Sequence, residues 1–172
     1  MKILIVSDTH GSHSTLEKAL AQIGMIDMFI HMGDVDERED CLEHTVDCES
    51  HIIAGNGDFF SKLPREKEFL IGSKKVFITH GHIYGVSVNL EELHEEGLRR
   101  EADIVMFGHT HAPFLEMDAQ ITLLNPGSIS QPRQAGHQCS FMVMHVGENE
   151  DIKYQTFYLE KNGIFVEKLV KK

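Results

Sequence analysis

Ile3-Leu4-Ile5-Val6-Ser7-Asp8-Thr9-His10 runs four consecutive apolar residues straight into hydroxyl, carboxylate and imidazole groups. An apolar run without alternation predicts a strand buried on both faces. The segment after it predicts a helix. Ser14 and Glu17 form a capping box, Leu16, Ala19, Leu20 and Ile23 supply an apolar stripe, and Gly24 ends it. Met28-Phe29-Ile30 predicts a second strand. Asp36 onward predicts a polar helix with Cys41, Leu42, Thr45 and Val46 inward, and His51–Ala54 a third strand. Strand and helix alternate as in βαβ units, which makes the class α/β.

Further along, Val76–Thr79 follows a Gly-Ser turn, Asn89 and Glu92 form a second capping box for a helix to about Arg100, and Ile104–Phe107 is another buried strand. The texture then becomes β, with strands at Ile121–Leu124, Phe141–Val146 and Tyr154–Leu159, the last two joined by the polar turn Gly147-Glu148-Asn149. The apolar strand Phe141–Val146 is either a covered sheet partner or part of an interface in a homo-oligomer. No repeat or linker interrupts the 172 residues, so a single domain over 1–172 is expected.

Composition narrows the function. With 41% hydrophobic and 25% charged residues the chain is globular in type, and its apolar runs are far too short to span a membrane. No secretory leader is expected, because the apolar stretch after Lys2 meets Ser7-Asp8 at once. A net charge of −11 argues against binding long nucleic-acid duplexes or anionic membranes. Three cysteines without CxxC spacing argue for free thiols in a reducing, cytoplasmic setting. The 12 histidines stand out and invite a search for metal ligands.

That search ends at the carboxyl ends of the strands. They run into Ser7-Asp8-Thr9-His10, His31-Met32-Gly33-Asp34, Gly55-Asn56-Gly57-Asp58, His80-Gly81-His82 and Gly108-His109-Thr110-His111. In an open α/β sheet such ends line one crevice. Extended residues two apart point the same way, so Asp8 with His10, and His109 with His111, are expected to chelate from single segments. Asp8, His10, Asp34, Asn56, His80, His109 and His111 make seven N/O donors, too many for one tetrahedral ion and suited to two divalent ions. A donor set without sulfur favours Mn²⁺, Fe, Zn²⁺, Co²⁺ or Ni²⁺. Two such ions, offset by Asp8, Asp34 and a hydroxide, leave about +1, enough to attract a phosphate ester despite the global charge.

These five clusters, in this order, resemble the signature of calcineurin-like metallophosphoesterases. The compact length and Asn125-Pro126-Gly127-Ser128 resemble the small prokaryotic phosphodiesterase branch, and the resemblance runs from about residue 1 to 133. It implies a four-layer α/β/β/α sandwich of two packed mixed sheets. It implies that Asp8, His10, Asp34 and His111 hold one ion, that Asp34, Asn56, His80 and His109 hold the other, and that a hydroxide bridging them, Mn²⁺ being the leading metal, attacks phosphorus in line. Asp34, Asn56 and His109 are then the expected catalytic residues. Many members carry a histidine after the motif's asparagine, taken as general acid, where this chain has Gly57. Asp58 keeps its place, but the imidazole it would orient is missing. Esters with good leaving groups are therefore expected to be preferred.

Other residues divide between roles. His82 lines the phosphate pocket or holds its loop. Arg133 clamps a substrate oxygen or lies free on a surface loop. His31 and His51 are expected to be structural. A small phosphodiester is the expected substrate. The rivals are a phosphomonoesterase and a non-catalytic binding scaffold of the same fold, such as the retromer subunit.

Overall fold

The residues of β1 (Lys2–Val6) sort by parity, Ile3 and Ile5 facing one core layer and Leu4 and Val6 another, all four completely buried. Period-two alternation with both faces apolar requires covering layers on each side. The computed structural model, which describes residues 1–36, 42 and 45–168, supplies them.

After β1 come α1 (His13–Ile23), β2 (Met28–His31), β3 (Glu49–Ile52), β4 (Glu66–Ile71), β5 (Lys74–Thr79), α2 (Glu91–Arg99) and β6 (Ile104–Met106). They are followed by β7 (Pro113–Met117), β8 (Thr122–Pro126), β9 (Ser140–Val146), β10 (Ile152–Leu159) and β11 (Phe165–Glu167). One sheet has the order β11-β10-β9-β1-β2-β3 and the other β4-β5-β6-β8-β7. Both are mixed. β1, β2 and β3 run parallel, with β9 antiparallel to β1, while β5, β6 and β8 run parallel between antiparallel edges.

Three buried clusters define the layers. Ile3, Ile5, Met28 and Ile30 from the first sheet meet Val76, Ile78, Ile104 and Met106 from the second in the central core. Leu16 and Ala19 of α1 cover the outer face of the first sheet against Leu4, Val6 and Phe29. Leu93 of α2 covers the second against Phe77, Val105 and Phe107. The order helix, sheet, sheet, helix is the expected four-layer α/β/β/α arrangement. Among the described residues no helix is long and apolar enough to cross a membrane.

Several local expectations are corrected. The strands carrying the five clusters do not share one open sheet: β1 to β3 lie in one, β5 and β6 in the other. Ser14 does not cap α1, because the helix begins at His13 with Ser12 at the cap position and no side-chain cap bond. Gly24 does end it, at φ 71°, its N–H donating to Leu20 O. Asn89 Oδ1 accepts from Glu91 N–H at 3.1 Å, a turn leading into α2 with Leu90 at the cap, and not a box with Glu92. β9 is paired on both sides, with β1 and β10, so Phe141–Val146 is a covered partner. Residues 37–41, 43 and 44, which hold most of the helix expected from Asp36, lie outside the described residues. Leu42 is buried and Val46 packs on the same cluster, whereas Thr45 is exposed.

Candidate metal centre

The seam between the two sheets opens at the carboxyl ends of β1, β2, β3, β5 and β6, and there the five clusters meet. The backbone that brings them together is not extended as expected: φ is 55° at Asp8, 45° at His10, 56° at Asp34, 66° at His109 and 57° at His111. Asp and His enter this left-handed region more readily than most side chains. Asp8 N–H donates to Gly33 O at 3.0 Å and His10 N–H to Asp34 O at 3.0 Å, which zips the first two loops together. Two glycines permit the closest approaches. A Cβ on Gly55 would lie 2.1 Å from Asp34 Oδ1, and one on Gly108 would lie 2.1 Å from Ser7 Oγ.

The segment Asn125-Pro126-Gly127-Ser128 pins the loops from behind. Asn125 Nδ2 donates to Gly108 O at 2.7 Å, holding the loop after β6. Ser128 and Ser130 hydroxyls both donate to Asp8 O, at 2.8 and 2.9 Å, holding the loop after β1.

Four side chains, Asp8, His10, Asp34 and His111, each present a donor atom within 4.8 Å of the others. His10 Nδ1 is engaged by Asp36 Oδ2 at 2.9 Å and His111 Nδ1 by Gln131 O at 2.5 Å. Both Nδ1 atoms therefore donate, which turns two Nε2 lone pairs toward each other 3.3 Å apart. On the other side, His80 Nδ1 donates to Met32 O at 2.7 Å, so its Nε2 lone pair faces Asn56 Oδ1 at 3.1 Å and Asp34 Oδ1 at 3.5 Å. The His109 ring lies 5.2 Å from that of His80 and 6.1 Å from that of His82.

Acceptors facing acceptors demand a cation. The Asp8 carboxylate is completely buried, and neither oxygen accepts a hydrogen bond; His111 Nε2 stands 3.2 Å away. A buried carboxylate so placed is costly unless a positive charge compensates it. The donor set thus fits divalent metal, from its orphaned oxygens and its opposed imidazole lone pairs.

Charge coupling follows the same geometry. Burial raises the Asp34 carboxyl, but the His80 imidazole, the Gly57 N–H at 2.7 Å and His10 outweigh it and hold it well below the usual carboxylate range. Burial lowers His80 and His111, but the Asp34 carboxylate beside the first and Asp8 beside the second outweigh it and raise both. His109 is lowered, by burial and by the nearby His80.

The remaining expected residues fall as follows. His82 flanks His80 and His109, with a buried Nδ1 that finds no partner. Arg133 is exposed, its N–H donating to His111 O at 3.1 Å, and its charge acts on His109 and His111. His31 lies apart, accepting from Gly33 N–H at 3.1 Å, and burial pushes it down to about 4, so it is a neutral strut. His51 stacks on Phe69 at 3.6 Å. Asp58 has a different task from orienting an imidazole: its carboxylate accepts the N–H groups of Val35, Asp36 and Gly55, tying the loops after β2 and β3 together.

Asp36 is the functional group the sequence reading missed, having been taken for the start of a helix. Its two-residue spacing from Asp34 repeats that of Asp8 and His10, and this was the available signal. It sets the His10 tautomer, and such outer partners are worth about 10–100-fold in metal affinity. Asp36→Ala is expected to weaken Mn²⁺ binding by about tenfold or more; calorimetric affinity equal to the parent's would contradict this.

Fold and donor set together define a metal-dependent phosphoester hydrolase. Residues 1–149 match the family model of the calcineurin-like phosphoesterase superfamily domain, and the chain belongs to that family. Among its relatives is the probable metallophosphoesterase YsnB of Bacillus subtilis strain 168, 33% identical over 136 residues, covering 77% of this chain and 78% of that one. Phosphodiesterase YfcE of Escherichia coli K12 is 29% identical over 170 residues, covering 84% and 87%. The crystal structure of Vps29 from Entamoeba histolytica with Zn²⁺ superposes at a TM-score of 0.82 and 21% identity, covering 98% and 97%, a likeness of fold.

Proposed function

We propose that the chain is a dinuclear metal-dependent phosphodiesterase acting on small esters in the cytoplasm. One observation carries the dinuclear reading. Asp34 stands between two donor groups, Oδ2 lying 3.7 Å from His10 Nε2 and Oδ1 3.5 Å from His80 Nε2. Asp8, His10, Asp34 and His111 would hold one ion, and Asp34, Asn56, His80 and His109 the other. Two divalent ions, Mn²⁺ first and Zn²⁺, Fe, Co²⁺ or Ni²⁺ as alternatives, would supply Lewis acidity toward phosphoryl oxygens and a lowered pKa for water. Asn56 contributes an amide oxygen without charge, which keeps the centre positive toward an anionic ester. His82 and Arg133 would hold the remaining phosphate oxygens, the guanidinium from the rim. The preference for diesters draws on the relatives named phosphodiesterase. The scaffold alternative draws only on likeness of fold to Vps29.

At residue 57 there is no side chain to protonate a leaving group, and a Cβ there would lie 3.0 Å from Asp36 Oδ1 and 3.2 Å from Asp34 Oδ1. General acid catalysis is worth about 10²–10⁴-fold. Diesters of alkyl alcohols are accordingly expected to react at least about 100-fold more slowly than p-nitrophenyl esters. A rate independent of leaving-group pKa, with chemistry limiting, would contradict it.

The function itself is tested by stripping the protein with chelator, refilling with Mn²⁺, and assaying bis(p-nitrophenyl) phosphate beside p-nitrophenyl phosphate. Metal-restored cleavage favouring the diester is expected. Two bound ions without cleavage of either ester would transfer the protein to the scaffold reading.

A further inference from the structure

Phe59 and Phe60 are 78% and 92% exposed, although the loop that carries them is tightly held. Ala54 N–H donates to Pro64 O at 2.9 Å and closes the loop at its base. Arg65 donates to Gly55 O and, at 3.2 Å, to Asp58 O, while Leu63 packs into the cluster beneath the first sheet. The buried Asp58 carboxylate fastens the near side to the loop after β2. Two phenyl rings turned to water on an anchored loop are displayed, at a hydration cost that folding alone does not require.

Their position gives the display a purpose. Phe59 N–H donates to Gly57 O at 3.0 Å, and Gly57 N–H donates to Asp34 Oδ1 at 2.7 Å, so two hydrogen bonds link the aromatic pair to the central carboxylate. Asn56, three residues before Phe59, faces His80. Lys62 and Arg65 follow the rings on the same loop of a chain whose net charge is −11, and Arg65 is near enough to His82 for its charge to act there. On the His82 side, Ile83 adds another apolar group, 56% exposed. Planar rings on a loop that also carries two cations, next to a centre built for phosphate, match the chemistry that holds a phosphorylated aromatic compound.

We infer that Phe59 and Phe60 form a stacking platform for a planar ring of the substrate, which makes esters bearing a nucleobase or an aryl group preferred over alkyl esters. This rests on the phosphodiesterase reading above and names the substrate class for that site.

Calorimetry on the Mn²⁺-loaded protein tests it with phenyl phosphate, thymidine 5′-monophosphate and methyl phosphate, for the parent and the Phe59→Ala/Phe60→Ala variant. Stacking on an aromatic side chain is worth roughly 5- to 100-fold in affinity. The parent is expected to bind one or both ring-bearing esters about tenfold more tightly than methyl phosphate, and the variant to lose that advantage with methyl phosphate unchanged. An advantage confined to thymidine 5′-monophosphate assigns the platform to nucleobases, and one shared with phenyl phosphate to aryl rings generally. No advantage in the parent, or the same advantage in the variant, overturns the inference. So does a variant that elutes from gel filtration at a smaller size than the parent, since the pair would then be a self-association surface. Hydrolysis of bis(p-nitrophenyl) phosphate is measured separately. A protein that stacks rings but cleaves nothing keeps the platform and loses the enzymatic reading.

Discussion

Asp34→Asn is expected to lower kcat/KM for an activated diester on the order of 10³-fold, because it removes the one charge shared by both donor groups and with it several kcal/mol of metal-centred stabilisation. The substitution keeps shape and leaves an oxygen for the Gly57 N–H, now 2.7 Å from Oδ1, so the loop after β3 retains its anchor. What changes is charge. The carboxylate that His80 and His10 hold well below the ordinary range becomes a neutral amide, and on the two-ion proposal both sides of the centre would lose affinity together. Mn²⁺ titration should show weakened binding, and thermal stability in chelator at neutral pH should fall as well, because the imidazoles that favour the ionised carboxylate lose their partner. Activity within tenfold of the parent would remove Asp34 from its central place.

Asp58→Ala is expected to act on stability first. Asp58 is only 5% exposed, and its carboxylate receives the Val35, Asp36 and Gly55 N–H groups at 2.8 to 3.1 Å. Truncation strands two buried donors and the half-buried Asp36 N–H, at about 1–3 kcal/mol for each buried one, although water entering the space left behind recovers part of the loss. A net loss of about 4 kcal/mol lowers the melting temperature on the order of 10 °C for a chain of this size. Asp58→Asn, which still accepts through one oxygen, should lose distinctly less. A melting temperature for Asp58→Ala within 2 °C of the parent's would show that the loops after β2 and β3 hold together without this carboxylate.

The strands that carry the centre were legible because each pairs a β-rich apolar run with an abrupt polar cluster. β1, β2, β3, β5 and β6 all sit within two residues of where the pattern puts them. β4, β7 and β11 were not foreseen. β4 and β7 are sheet edges with a half-exposed face, Glu66-Lys67-Glu68 and Pro113 disguise them, and β11 is three residues long. The assignment of five strands to two sheets was beyond periodicity, since a buried strand looks the same in either sheet. Helix starts failed where an Asx or hydroxyl side chain had another choice, as Asn89 has in its turn to Glu91. At the site, the convergence of Asp8, His10, Asp34 and His111 was readable from type and spacing, but the left-handed backbone that aims them was not. Nor was the part played by Asp36 and Asp58, because two carboxylates close in sequence to metal donors differ only in which groups the fold sets beside them.

The division of the donors between two sheets has a mechanical side. Asp8, His10, Asp34 and Asn56 ride on one sheet, His80, His109 and His111 on the other, and the central layer beneath them is rich in Met28, Met32, Met106, Met142 and Met144. Methionine is the most compliant of core side chains, and here it fills the gaps among nine stiffer Ile, Val and Leu residues of the same layer. Any ion gripped from both sides would tie one sheet to the other. Loading at a hundredfold excess over Kd adds about 2.7 kcal/mol to the folded state, and that reinforcement falls across the seam between the two sheets.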